Sequence, residues 1–231
     1  MKTIETAIVG AFILEPTVFG DARGFFSETY NCREFRAATG AELNFVQDNQ
    51  SRSRRGVLRG LHYQIEQPQG KLVRVTRGAV YDVAVDVRKG SASFGRWVGV
   101  ELSEQNHRQF WVPPGLAHGF LVLSDETDFL YKTTDYYAPQ HERCIVWNDP
   151  DIGIQWPLEQ HGLDVPLLSD KDAAGLKVSQ AECFPRGTRH LQLAGSRQLS
   201  SPSLSSVTGT MPRCWLCWAS WRACRHRSRA A

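Results

Sequence analysis

Hydrophobic and polar positions alternate with a period of two through much of the chain. Val83, Val85 and Val87 alternate with Ala84, Asp86 and Arg88, and Val98, Val100 and Leu102 repeat the pattern, which predicts β-strands. Residues 110–112 and 129–133 are further β-rich runs, separated by the Gly, Pro, Asn and Asp residues that favour turns. Residues 9–18 read as extended and end at a turn signal, Gly20-Asp21. One segment departs from this rhythm. Asn31 followed by Glu34 resembles a loose capping box, Cys-Arg-Glu-Phe-Arg-Ala-Ala is good helix material, and Gly40 supplies a stop, so one short helix is expected there. Many short strands with little helical periodicity indicate an all-β sandwich or barrel. The two-sheet jelly roll fits best, and its mouth is a natural place for a small-ligand pocket.

Composition refines this picture at the C-terminal end. The 231 residues are enough for one sizeable domain, or one domain with an appendage. From Glu182 onward there are eight arginines, no lysine and one acid, a local excess of +7, which leaves residues 1–181 with 19 bases against 23 acids, or −4. The body is thus mildly acidic, and the basic tail alone is weak ground for a nucleic-acid partner. The tail also holds four of the six cysteines and is rich in Ser, Arg and Trp. Residues 1–181 are therefore expected to form the folded domain, and 182–231 a disordered or unrelated extension. Cys214-x-x-Cys217 in that tail resembles half of a zinc or redox site, but Cys224 and His226 follow at unusual spacing. No run approaches the ~20 apolar residues that span a bilayer, and the start, Met-Lys-Thr-Ile-Glu-Thr, lacks the apolar run of a secretory signal. A cytoplasmic protein with reduced thiols and no membrane partner is expected.

Several polar residues sit in strand-like surroundings. Arg23-Gly-Phe-Phe-Ser-Glu28 combines a cation, two aromatics and an acid; Gln47-Asp-Asn49 offers amides; Val57-Leu-Arg-Gly-Leu-His-Tyr-Gln64 places Arg59 and His62 in an apolar strand. Gly70-Lys-Leu-Val-Arg74 opens a strand with a lysine, Pro113-Pro-Gly-Leu-Ala-His118 ends in a histidine, and Phe129-Leu-Tyr131 presents a tyrosine. Taken singly, each has an ordinary structural explanation: a packed core histidine, a surface ion pair, a turn amide.

Together they form a family pattern. The body resembles the dTDP-4-dehydrorhamnose 3,5-epimerase family of the cupin superfamily, through Glu15-Pro-x-Val-Phe-Gly-Asp-x-Arg-Gly-Phe-Phe26, Asn44-Phe-Val-Gln-Asp-Asn49, Gly56-Val-Leu-Arg-Gly-Leu-His-Tyr-Gln64 and Gly70-Lys-Leu-Val-Arg74. Val83-Ala-Val-Asp-Val-Arg88, Ala117-His-Gly-Phe-Leu-Val-Leu-Ser124, Tyr131-Lys-Thr-Thr-x-Tyr-Tyr137, Trp147-Asn-Asp149 and Leu168-Ser-x-Lys-Asp172 continue it in order. The resemblance implies a double-stranded β-helix, the cupin jelly roll, with one or few short helices. It implies epimerisation of dTDP-4-keto-6-deoxy-D-glucose at carbons 3 and 5, on the way to dTDP-L-rhamnose, by a homodimer with an exchanged N-terminal strand.

Roles follow by the same resemblance. His62 matches the proton acceptor, Asp172 the carboxylate paired with it, Tyr131 the proton donor, and Lys71 the cation beside the keto oxygen. Arg23, Phe26, Glu28, Gln47, Asn49, Arg59, His118, Tyr137, Glu142 and Lys171 match substrate-contacting positions. The chemistry suits these types. A ketone acidifies its neighbouring hydrogens, an imidazole takes a proton near neutral pH, and a cation in a dry pocket stabilises the enolate. A relative that epimerises one carbon only, and a non-catalytic sugar-binding cupin, are the alternatives.

Two details sharpen the expectation. Pro114-Gly-Leu-Ala-His118 resembles the second cupin metal motif, but the first strand offers His62-Tyr-Gln64 where a metal-binding cupin has two imidazoles. An amide is a poor transition-metal ligand, so neither metal nor other cofactor is expected. Strict alternation also puts Arg59 and His62 on opposite faces of one strand. A bulge at Gly60 that resets the phase is therefore expected, with irregular pairing from Arg59 to Gln64.

Overall fold

The computed structural model describes residues 1–188. The alternating runs become strands β1 (Lys2–Glu5), β2 (Phe12–Glu15), β3 (Val18–Asp21), β4 (Gly24–Ser27), β5 (Gln47–Arg54) and β6 (Leu58–Gln64). They continue as β7 (Lys71–Arg77), β8 (Ala79–Asp86), β9 (Trp97–Ser103), β10 (Gln109–Val112), β11 (Leu116–Val122), β12 (Glu126–Thr133) and β13 (Glu142–Cys144). One antiparallel sheet runs β1-β2-β10-β7-β12-β5, a second runs β13-β6-β11-β8-β9, and β3 and β4 form a separate hairpin. The two larger sheets face each other. Val73, Val75, Phe110, Val112 and Phe129 of the first pack against Val80, Ala84, Val100, Leu102, Phe120 and Val122 of the second. Each of the Val, Leu and Phe side chains among them contributes about 1.5–3 kcal/mol by leaving water. This is the jelly roll that the alternation predicts.

The helix falls where its caps place it. Helix α1 (Cys32–Thr39) starts at Asn31, whose side chain accepts from the backbone N–H groups of Arg33 and Glu34, and stops at Gly40 in the left-handed region. It docks through Phe35, which meets Trp111 edge-on at 5.1 Å on the outer face of the six-stranded sheet.

Alternation does not say which face of a strand meets the barrel. In β8, Val80 and Ala84 point inward, and Asp82 shares their parity, whereas Val83 and Val85 pack outside with Leu61, Tyr63, Ile145 and Phe184. Both faces are buried because the C-terminal segment lies across the five-stranded sheet. Phe184 donates its N–H to the Val87 carbonyl at 3.0 Å, and the Tyr63 hydroxyl donates to the Glu182 carbonyl at 2.6 Å. Packing thus runs a few residues past the change in composition at 182. The rest of the expected tail, from residue 189 and including Cys214 and Cys217, lies outside the described residues. Among the described residues, no helix is long and apolar enough to cross a membrane.

The expected irregularity in β6 is present. His62 pairs with His118 and Arg59 with Phe120, so three steps along β6 oppose two along β11. Gly60 is the extra residue, and it returns both Arg59 and His62 to the inner face. Its φ of +118° favours glycine, and a Cβ there would lie 2.5 Å from the Gly119 Cα. Gly60→Ala is therefore expected to destabilise the fold by about 2–4 kcal/mol, from strain plus a backbone clash. Urea denaturation checks this; an unchanged midpoint would show that the strand can relax around a methyl group.

Candidate active site

A cavity of about 400 Å³ opens between the two sheets. The five-stranded sheet supplies Arg59, His62 and His118 from β6 and β11, and the six-stranded sheet supplies Asn49, Lys71 and Tyr131 from β5, β7 and β12. Stacked rings of Phe120 and Phe129, 4.0 Å apart, form part of its apolar lining. Imidazole and phenol thus reach the cavity from facing walls.

Asp172 arrives on a short second helix, α2 (Asp170–Ala173), capped by Ser169. Leu167, three residues before the helix, is stitched to the start of β6 by hydrogen bonds with Gly56 and Leu58, which sets α2 beside His62. The Asp172 carboxylate lies 2.8 Å from His62 Nε2 and accepts from the Gly60 N–H at 3.1 Å and from the Ser169 hydroxyl at 2.6 Å. The His62 contact is close, although the ring N–H does not point straight along it. Burial alone would raise this carboxyl, but His62, Ser169 and the Gly60 N–H outweigh it and hold the group well below the usual carboxylate range. Asp172 is therefore an anion at any pH at which the enzyme would work.

On the other side of the imidazole, Glu142 Oε1 lies 3.9 Å from Nδ1. Glu142 also accepts from the Tyr137 hydroxyl at 2.8 Å and pairs with the Lys171 ammonium. Burial opposes its ionisation, but these two donors hold it below its ordinary value. Gln47 joins the rim through Asn49 at 2.9 Å and the Tyr137 N–H at 3.2 Å.

Lys71 is the buried cation of the cavity, which Arg59 and Lys171 also line. Burial pushes its ammonium down to about 8, with Glu142 and Asp82 partly offsetting that loss. The Tyr131 phenol is pushed up by burial, so it stays protonated at neutral pH. Arg59, by contrast, is exposed and steadied by the Ser53 hydroxyl at 3.1 Å.

The site also contains a partner that sequence reasoning missed. Asp82 is fully buried and holds His118 Nε2 with both oxygens, at 2.9 and 3.1 Å. Burial raises this carboxyl, opposed by His118 and Lys71. The available signal was an acid on the apolar face of a strand, because a charge there needs a partner.

Three expected site residues are elsewhere. Arg23 pairs with Asp21 at the tip of the β3–β4 hairpin, Phe26 is 68% exposed beside it, and Glu28 meets Asn31 at 3.4 Å. None of them reaches the cavity of its own chain. Gln64, at the position where a metal-binding cupin has its second imidazole, turns to a neighbouring loop. Its amide donates to the Gln67 and Tyr136 carbonyls at 2.7 and 3.2 Å and accepts from the Ala138 N–H at 2.9 Å. With His118 held by Asp82 as well, the residues present do not suit a cupin metal centre. A second cavity, about 380 Å³, lies on the outer face of the six-stranded sheet by Arg74, Gln109 and Lys132, without an imidazole.

Known proteins of one family match most of the described residues. The family model described as dTDP-4-dehydrorhamnose 3,5-epimerase matches residues 5–180. The dTDP-4-dehydrorhamnose 3,5-epimerase of Pseudomonas aeruginosa is 61% identical over 185 residues, covering 80% of this chain and all of that protein. A crystal structure of the Legionella pneumophila dTDP-6-deoxy-D-glucose-3,5-epimerase, in complex with dTDP-4-keto-L-rhamnose, is 51% identical, covers 78% of this chain and 94% of that one, and superposes with a TM-score of 0.75. A 3'-monoepimerase from Streptomyces bikiniensis, in complex with dTDP-quinovose, is 38% identical, covers 78% and 91% of the two chains, and gives a TM-score of 0.71. The matched residues span nearly all of the described jelly roll, and the chain belongs to the dTDP-4-dehydrorhamnose 3,5-epimerase family.

Proposed function

We propose that this chain epimerises dTDP-4-keto-6-deoxy-D-glucose at carbons 3 and 5, giving dTDP-4-keto-L-rhamnose for dTDP-L-rhamnose synthesis. The observation that carries the reading is the convergence of His62–Asp172, Lys71 and Tyr131 on one cavity from opposed walls. In the proposed mechanism, a neutral His62 removes the proton beside the ketone, and Asp172 stabilises the imidazolium that forms. Lys71 faces the oxygen on which negative charge gathers, an interaction stronger in the transition state than in the ground state. Tyr131 returns a proton from the other wall, which inverts the carbon. Arg59, Lys171 and His118 are suited to the diphosphate and sugar oxygens, and Gln47 and Asn49 to base or hydroxyl edges.

Turnover in deuterated water tests the number of carbons inverted. Deuterium at both C3 and C5 of the product is expected; label at one carbon would replace this reading with a single-site epimerase, as the likeness to the Streptomyces enzyme would allow. No label at all would leave a sugar-binding module.

The homodimer belongs to the same proposal. The β3–β4 hairpin exposes Phe19, Phe25 and Phe26, each more than 60% accessible, while its Arg23 and Phe26 lie away from the chain's own cavity. A hairpin that completes the site of a second copy accounts for both facts. Light scattering should give twice the mass of one chain, and a monomer active at nanomolar concentration would rule the idea out. We place the enzyme in the cytoplasm, which accords with the free thiols of Cys32, Cys144 and Cys183 among the described residues.

A further inference from the structure

Cys144 has no part in the reaction just described, yet it is the residue paired with His62 across β13 and β6. Its sulfur, an imidazole nitrogen of His62 and a carboxylate oxygen of Asp172 all lie within 4.8 Å of one another. Two of these groups have coordination to spare. The thiol's hydrogen bond goes to the carbonyl of its neighbour Ile145 at 3.6 Å, and His62 Nε2 is buried without a well-directed partner. Zinc bonds of about 2.0–2.3 Å place tetrahedral ligands roughly 3.3–3.8 Å apart. His62 Nε2 and Asp172 Oδ1 are already nearer than that, at 2.8 Å, so side-chain rotations of about 1 Å would bring all three onto one ion. The fourth position would face the cavity and take water.

We propose that Cys144, His62 and Asp172 form an inhibitory site for a thiophilic divalent cation such as Zn²⁺. Thiolate, imidazole and carboxylate together select zinc-class ions over Mg²⁺ or Ca²⁺, which prefer all-oxygen sites. Binding breaks the Cys144 S–H bond, releases its proton to solvent and forms a sulfur–metal bond. The ring proton of His62 passes from Nε2 to Nδ1 by way of solvent, the freed Nε2 lone pair goes to the ion, and no oxidation state changes. Inhibition rests on His62 being the base, because an ion on Nε2 leaves the ring proton on Nδ1, the nitrogen that would otherwise accept the substrate's proton. The trio differs from a cupin metal centre, which would draw on His118 and the Gln64 position.

The full chain, stripped with chelator and dialysed, should be titrated with Co²⁺ while the near-ultraviolet thiolate-to-cobalt absorption is read. Zn²⁺ inhibition of turnover is measured in parallel on the wild type, on Cys144→Ser, and on a Cys214→Ser/Cys217→Ser variant that removes the tail's own paired thiols. Wild type and tail variant should share a Cys144-dependent band and the same Zn²⁺ sensitivity. Cys144→Ser should keep metal-free turnover, lose the band, and need at least about tenfold more Zn²⁺ for half inhibition. Equal sensitivity of wild type and Cys144→Ser, or no Cys144-dependent band, would overturn the proposal. A Cys144-dependent band with unimpaired turnover would uphold the metal site and discard His62 as the base.

Discussion

His62→Ala is expected to lower kcat by about 10³-fold, roughly 4 kcal/mol on the barrier, while binding of the dTDP moiety changes little. The asymmetry follows from geometry. The imidazole lies in the cavity between Asp172 and Glu142, and its neighbour Arg59 reaches the same cavity independently because of the Gly60 bulge. Removing the ring deletes a base without deleting the groups suited to the nucleotide. The substitution leaves Asp172 with Ser169 and the Gly60 N–H as partners, so the carboxylate is not stranded and the fold should survive. Calorimetric titration with dTDP, beside steady-state rates, separates the two effects. A matching loss in both would mean that His62 chiefly binds.

Lys71→Met should cost about 10²–10³-fold in kcat/KM, since the developing enolate then faces no buried cation. The wild type carries a pH signature of the same group. Burial pushes Lys71 down to about 8, and the reaction needs the protonated form. The kcat/KM profile of the free enzyme should thus show an alkaline limb, falling as pH rises through about 8. Tyr131 must also be protonated, but its upward shift sets its loss at higher pH. Lys71→Arg should move the limb beyond the measurable range; an unmoved limb would assign it to another group. For stability the sign is opposite. Between about 8 in the fold and the ordinary value of 10.5, the unfolded chain binds more protons at this lysine, so its contribution to stability rises with pH across that window.

Local signals in the chain suffice where local physics decides the structure. Asn31 and Gly40 bound α1 because capping groups act within a turn, and the valines of β8 and β9 declare strands because side-chain direction repeats every two residues. The Gly60 bulge was legible too, since two pocket residues of wrong relative parity had a glycine between them. Long-range pairing was not legible. The hydrogen bond that fixes Asp172 to Gly60 joins residues 112 apart, and no periodicity encodes it. The role of Asp82 depends on His118, 36 residues away in sequence but on the neighbouring strand β11. Arg23, Phe26 and Glu28 carry the family's residue types yet sit away from the cavity, because the hairpin that bears the first two, and that Glu28 follows, is a sheet of its own.

The three hydrogen bonds of Gln64 constrain what this barrel can become. A designer wishing to build a three-histidine metal enzyme here would begin with Gln64→His, which adds the one missing ligand. That change would also release the carbonyls of Gln67 and Tyr136 and the N–H of Ala138, three backbone anchors of the loops beside the site. An imidazole turned toward a metal could replace none of them. The obstacle to a new chemistry at this position is therefore architectural: the amide works as a rivet between strand and loops, and a second change that re-anchors those loops would have to come first.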